Sequence, residues 1–440
     1  MGIMTSLPDK LPKTMSNVDV EVLEDGTELL LQPYADELED SDKVFYPTQF
    51  VTLNLSTGKN IRDLETNEII SRPRGIRNGG QILMSGQPTI GKTTLGLNIA
   101  GHIKQVADNM AISAMSSART QIHFLATEDG MEEANLLKNA YITKEQQKRG
   151  ELIIYPADKV WTESTADLID NIAAWKEENK SKLMIPQPKV GGGTKLEYIP
   201  TILFMDSLSG LRPKCLKDKK DNEQNNMWHA VRNKENGILF INKFEKLRRY
   251  NIICIWIVHV GDKFSANGMP LQKQYQALAS DKKISDGKVP QFYADLFMFI
   301  SKITDYDGKS KSVQDILEVD DTFIGNGIEV ITPKNRWGDS SKRSIFRLVS
   351  DYSIGFNPYY SLLYELKSRD IIKGAAYKSL DGYPDKFRGR DVGNLIKTDE
   401  RFANCLITAL EKDFEWLLEA NNVAIPRYKE YSSYMSRLLS

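Results

Sequence analysis

Cysteine is scarce, with Cys215, Cys254 and Cys405 the only three in 440 residues. An odd and widely spaced set supports neither a disulfide framework nor a thiolate metal site, so a reducing cytoplasm is the expected compartment. Long apolar runs are missing as well. The longest in the second half, Ile252 to Val258, falls far short of the roughly 20 residues of a membrane helix. No apolar stretch follows Met1, so neither a membrane span nor an export signal is expected. Net charge is nearly absent, 58 Lys plus Arg against 59 Asp plus Glu giving −1, and any case for nucleic-acid binding must therefore rest on local charge. What remains is ordinary core-forming material, 41% apolar and 27% charged, enough for about two or three domains.

Charge and pattern change along the chain. Ten acidic residues lie between Asp19 and Asp42, with no Lys or Arg between Lys13 and Lys43, so residues 1–43 read as an acidic arm or appendage. From Val44, short apolar strands alternate with helical stretches, the pattern of a parallel sheet covered by helices. Gln81–Ser85, Gln121–Ala126, Thr201–Met205 and Ile252–Val258 read as buried strands, and the helix before the last of these is placed around Leu239 to Tyr250. Residues 185–198, with Gly191-Gly-Gly193, read as a flexible loop. Gly327–Thr332 and Ser344–Val349 read as late antiparallel strands, after which the chain turns helical. These boundaries give an arm (1–43), an α/β core (44–350) and a small C-terminal domain (351–440).

Gly86-Gln87-Pro88-Thr89-Ile90-Gly91-Lys92-Thr93 matches Gly-x-x-x-x-Gly-Lys-Thr, the Walker A loop, and it joins an expected strand to an expected helix. The glycines let backbone N–H groups curl around phosphate oxygens, Lys92 reaches the outer phosphates, and Thr93 offers its hydroxyl to Mg²⁺. Together with Thr94, these residues form the expected ATP cradle. Asp206 ends a later strand and suits a metal-holding carboxylate, although such an Asp can also cap a turn. Glu128 and Asp129 follow the strand after the Walker helix; Glu128 is placed as the base that orients the attacking water and Asp129 as a helix cap. His259 ends the next strand, where a polar side chain can touch the γ-phosphate, though a lone His is more often structural.

The order of these parts, with Phe204-Met-Asp-Ser-Leu-Ser-Gly-Leu-Arg-Pro-Lys214, resembles the RecA-family recombinases. Phe292-Tyr-Ala294 and Thr332-Pro-Lys334-Asn-Arg336 extend the likeness, and Val51–Leu55, Ile354–Leu363 and Phe387–Asp391 through Phe414 are similar to the phage UvsX-type members. The resemblance covers roughly residues 44–415. It implies a RecA-like P-loop ATPase core with a mostly parallel central sheet, an N-terminal arm and a small C-terminal domain. It further implies an ATP- and Mg²⁺-dependent enzyme that forms a filament on single-stranded DNA and exchanges strands with double-stranded DNA, helped by loader and single-strand-binding proteins, in the host cytoplasm if phage-encoded. Lys334 and Arg336 would then reach the nucleotide of the adjacent protomer, and His259 matches the histidine of UvsX-type sequences. A hexameric replicative helicase, which also carries a Lys-x-Arg element before a Gly as in Arg336-Trp-Gly338, and an ATP-switched DNA-binding mediator remain alternatives.

The same map places two DNA-binding loops, from Lys214 to about Trp228 and from Gly261 to about Pro290. Residues 212–288 hold sixteen Lys or Arg against eight Asp or Glu, an excess of +8 that suits a phosphate-binding groove. Lys214, Lys217, Lys219, Lys220, Lys263, Lys273, Lys282, Lys283 and Lys288 are the expected phosphate contacts, with Trp228 and Tyr275 available for base stacking.

Overall fold

The computed structural model describes residues 19–22, 28–31, 43–63, 66–127, 132–189, 193–216, 226–262, 282–284, 289–303, 325–337, 344–351, 354–374, 377–414 and 423–425. Its centre is one large sheet. The strands are β1 (Gln81–Gly86), β2 (Gln121–Ala126), β3 (Leu152–Tyr155), β4 (Thr201–Asp206), β5 (Ile252–Asp262), β6 (Leu296–Lys302), β7 (Gly325–Asn335), β8 (Ser344–Asp351) and β9 (Gly355–Phe356). They run in the order β9-β8-β7-β6-β1-β5-β4-β2-β3, and Lys282–Ile284 pairs with the end of β5. The six from β6 to β3 are parallel, and β7 to β9 continue the sheet antiparallel, as the late strands were expected to do. This is the expected α/β core with a mostly parallel central sheet, its P-loop between β1 and the helix Lys92–Ser113.

Alternation along the strands explains the layers, because successive side chains leave opposite faces. Ile82, Met84, Ile122, Phe124, Ile202 and Phe204 face one core with Leu95, Ile99 and Ile103 of α1 (Lys92–Ser113). Leu83, Leu125, Leu203, Met205, Trp256 and Val258 face the other. That second layer is covered by Ile169 and Ile172 of α2 (Thr162–Glu178) and by Leu239 and Phe240 of α3 (Asn226–Arg249). Each fully buried apolar side chain contributes about 1.5–3 kcal/mol, so coverage of both faces is what holds these near-continuous apolar strands in the interior.

A third core joins α4 (Pro358–Ser368) and α5 (Glu400–Asp413) to Val349 of β8 and to Leu55 in the short helix Val51–Ser56. Both helices begin with side-chain caps: Asn357 accepts from the Tyr359 and Tyr360 N–H groups ahead of Pro358, and Asp399 accepts from Phe402.

Three expectations need correction. Within residues 185–198, expected as a flexible loop, Met184–Pro188 pairs antiparallel with Thr194–Tyr198, and Ile185 and Gln187 turn inward with period two. The helix before β5 begins at Asn226, so Trp228 stands in its first turn rather than in a loop; no Gly or Pro interrupts 226–236. The second basic segment is shorter than expected, since β5 runs to Asp262 and Pro290 lies in the helical turn Val289–Tyr293. Within the acidic arm, Asp19–Val22 and Glu28–Leu31 pair antiparallel.

Candidate nucleotide site

The Walker loop joins the carboxyl end of β1 to the amino end of α1, where parallel sheets collect their ligands. Gly91 holds the turn at φ +88°, the left-handed region, and a Cβ there would stand 3.2 Å from the Phe356 ring. Thr89 takes a positive φ of 59° without being glycine, a conformation kept when the surrounding loop over-determines it. Unlike α4 and α5, α1 starts without a side-chain cap among the described residues. Its first N–H groups and the helix dipole are therefore available to an anion.

Two pairings fix the side chains of the motif. Lys92 is 6% exposed, and its amine arches back over the loop to donate to the carbonyls of Gly86 (3.0 Å) and Gln87 (2.7 Å). The Thr93 hydroxyl donates to Asp206 Oδ2 at 2.6 Å, which brings the end of β4 against the start of α1 although β5 lies between β4 and β1 in the sheet. Hydroxyl and carboxylate oxygens are the hard donors that Mg²⁺ takes alongside substrate phosphates, so the residues fit the expected ATP and Mg²⁺.

Thr127 was not anticipated. Its N–H donates to the Asp206 carbonyl, its hydroxyl donates to the Ser207 carbonyl, and it accepts from the Ser207 N–H, both hydroxyl bonds at 2.7 Å. It thus locks the end of β2 to the turn that carries Asp206, one residue before Glu128. Glu128 and Asp129 lie outside the described residues. The legible signal for Thr127 was its place at a strand end beside the two carboxylates.

Two cavities flank the loop. One, about 840 Å³, is lined by Pro88, Lys92, Asp206, Glu132 and His259 among others. His259 sits level with Gly86 in the register of β5 on β1. Glu132, the residue before a short helix, is a further carboxylate in this cavity that the sequence reading did not single out. The other cavity, about 350 Å³, lies toward Asn135, Asn139, Lys302, Asp351 and Phe356. Asn98 ties its wall together, accepting from the Phe356 N–H and donating to the Asn139 carbonyl, each at 2.9 Å.

Lys334 and Arg336 are placed at the opposite end of the sheet. Lys334 pairs with Phe297, which pairs with Leu83; the Arg336 N–H donates to the Asp295 carbonyl, and the Asp295 N–H donates to Gln81. Gln81 precedes Gly86 by five residues, so at about 3.3 Å per residue Arg336 stands roughly 16 Å below its own Walker loop. The Lys334 amine donates to the carbonyls of Gln291 (2.7 Å) and Phe292 (2.5 Å), and the Arg336 guanidinium lies 5.5 Å from the Phe292 ring centre. Burial and the Arg336 charge push the Lys334 amine down to about 8.

Lys217, Lys219, Lys220, Lys263, Lys273, Tyr275 and Lys288 lie outside the described residues. Lys214 opens a helical turn with its backbone N–H on the Glu163 carboxylate at 2.8 Å, and Lys282 and Lys283 pair in register with Asp262 and Gly261. No helix among the described residues is long and apolar enough to cross a membrane.

Searches of protein-family models and of curated proteins return no match. Among solved structures, a DnaB-like replicative helicase, described with its interactions with primase, is similar at 17% identity and a TM-score of 0.38. The likeness covers 64% of this chain and 59% of that one, so the chain spans under two thirds of the helicase it matches.

Proposed function

We propose that the chain is an ATP- and Mg²⁺-dependent DNA recombinase, in which protomers associate head to tail on single-stranded DNA and promote strand exchange with a duplex. Lys92, Thr93 and Asp206 receive the phosphates and the metal, Glu128 orients the attacking water, and His259 touches the γ-phosphate. The smaller cavity beside Asn135 and Asn139 takes the base and ribose, its amide groups suiting a nucleobase edge.

The observation that carries this reading is the placement of Lys334 and Arg336. Two cations roughly 16 Å or less below their own loop, on the far end of the sheet, serve a nucleotide best when a neighbour presents its loop to them. Such a contact joins different surfaces of identical chains, so it is heterologous and generates either a closed ring or an open helix. The resemblance of Ile354–Leu363 and Phe387–Phe414 to the recombinases favours the open helix. The helicase reading shares the head-to-tail geometry and predicts the ring.

Electron microscopy with ATP, Mg²⁺ and single-stranded DNA separates the two. Open filaments are expected, together with joint-molecule formation in a strand-exchange assay. Closed six-membered rings that unwind forked duplex would replace the recombinase reading with the helicase one.

A further inference from the structure

Met184–Pro188 and Thr194–Tyr198 form a two-stranded sheet of their own, joined to no other strand among the described residues. Which main-chain groups point inward follows from the two ends of the ladder. The Lys189 N–H donates to the Gly193 carbonyl at 3.0 Å and the Ile199 N–H to the Leu183 carbonyl at 2.8 Å, so in this register the odd-numbered residues bond across the pair. The even-numbered residues turn their main chains outward, Pro186 and Pro188 to one edge and Thr194 and Leu196 to the other.

The two edges differ. Proline has no N–H, so Pro186 and Pro188 remove the donors of the first edge, a common way of closing an edge to further pairing. The second edge keeps its donors. At Tyr198 they are engaged, the N–H by Glu197 Oε1 (3.1 Å) and the carbonyl by Asn251 Nδ2 (2.6 Å). The N–H and carbonyl of Leu196 meet no partner among the described residues, and its side chain is 63% exposed, on the same face as exposed Pro186 opposite.

The sequence around Leu196 is its own complement. Laid antiparallel on a second copy of itself about Leu196, Thr194-Lys195-Leu196-Glu197-Tyr198 sets Leu196 against Leu196, and Lys195 of each strand against Glu197 of the other. The outward Leu196 groups then exchange two N–H···O bonds, and Lys195 and Glu197 fall in the adjacent pairs without such bonds, where side chains approach most closely. Lys195 already meets its own Glu197 at 2.9 Å, so both charges lie on the face where the second copy's charges arrive. The next registers of the same phase oppose Lys195 to Lys195 or Glu197 to Glu197, and like charges directly opposite are destabilising.

We infer that the Thr194–Tyr198 edge pairs with the same edge of a second copy of this chain, making a four-stranded sheet across a two-fold axis. Such a contact is isologous and closes at two chains, so it is separate from the head-to-tail contact of the nucleotide reading and does not rest on it. Few residues take part, which makes the dimer weak and dependent on concentration.

Sedimentation velocity of the full chain over a concentration series, without nucleotide or DNA, tests this with wild type, Leu196→Pro, Lys195→Glu and Lys195→Arg. Wild type should pass from monomer to dimer as concentration rises. Leu196→Pro, which deletes an outward N–H and no bond of the chain's own ladder, should stay monomeric where half the wild type is paired. Lys195→Glu, which opposes two carboxylates, should do the same, and Lys195→Arg should pair like wild type. All three variants should bind ATP as wild type does, which shows the core intact. A wild type that stays monomeric throughout overturns the inference, as does association that survives both Leu196→Pro and Lys195→Glu. If Leu196→Pro does not fold, Lys195→Glu decides alone.

Discussion

Lys92 and Lys176 are both buried ammonium groups held by main-chain carbonyls, Lys92 at the carboxyl ends of the parallel strands and Lys176 at their amino ends. Lys92 donates to two carbonyls of its own loop and faces a cavity of about 840 Å³. Lys176, 0% exposed, donates to the carbonyls of Ile199 (2.8 Å), Tyr250 (2.7 Å) and Asn251 (3.4 Å), the residues that lead into β4 and β5. The first can exchange its carbonyls for phosphate oxygens because the loop around it is open, uncapped and partly left-handed. The second staples a helix to two strand starts and has nothing to exchange for. Burial of a lysine therefore does not mark a site; access and convergent partners such as Thr93 and Asp206 do.

Replacing each lysine breaks the comparison most sharply. Lys92→Ala should abolish hydrolysis and weaken nucleotide binding, since the point charge on the outer phosphates is gone. Lys176→Met should leave nucleotide affinity unchanged. Equilibrium binding of a fluorescent ATP analogue checks both, and equal affinities for Lys92→Ala and wild type would remove the Walker loop from the site.

Next in size comes the basic pair at the amino ends. Arg336→Ala should slow turnover by about 10³–10⁵, the range for losing a trans-acting arginine. Mixing Arg336→Ala protein with Lys92→Ala protein should recover part of the rate, because a mixed contact unites one intact loop with one intact pair. Normal turnover in Arg336→Ala alone would end the assignment in trans. A smaller loss, about 10²–10⁴ with binding preserved, is expected for Glu128→Gln. Single-turnover kinetics check it, and wild-type rates would leave Glu132, the carboxylate already lining the cleft, as the candidate base.

The carboxyl end of the sheet was the more legible of the two. A Walker loop is a contiguous string whose chemistry needs its own backbone, and Asp206 and His259 are strand-terminal residues whose placement follows once the strands are found. The bonds of Thr127 could not be read from its strand-end place alone, because its partners Asp206 and Ser207 lie about 80 residues further along the chain and meet it only once β2 and β4 pair in register. The paired strands 184–188 and 194–198 were missed because Gly191-Gly-Gly193 in the sequence signals flexibility as strongly as it signals a turn, and the inward alternation of Ile185 and Gln187 is short. Nor did any local pattern mark Lys176, which sits on a helix whose sequence reads as amphipathic and whose partners come from residues 199 and 250–251.

The smallest effect expected on activity, and the one that sharpens the comparison from its structural side, is the pH dependence set by Lys176. Burial pushes its amine down to about 7, opposed by the Glu197 charge, whereas an unfolded lysine titrates near about 10.4. Between those values the unfolded chain binds more protons than the folded one at this site, so the contribution of Lys176 to stability rises with pH across that window. Lys176→Met has no such proton and leaves the Ile199 and Tyr250 carbonyls without their donor, a loss of about 1–3 kcal/mol for each, while the Asn251 carbonyl keeps the Thr201 N–H. Urea unfolding of wild type and Lys176→Met at pH 7, 8 and 9 should show the wild-type advantage growing with pH, the other titrating groups cancelling between the two proteins. An advantage that stays constant would mean that the three carbonyls hold the amine fully charged throughout, and the contrast with Lys92 would then be one of access alone.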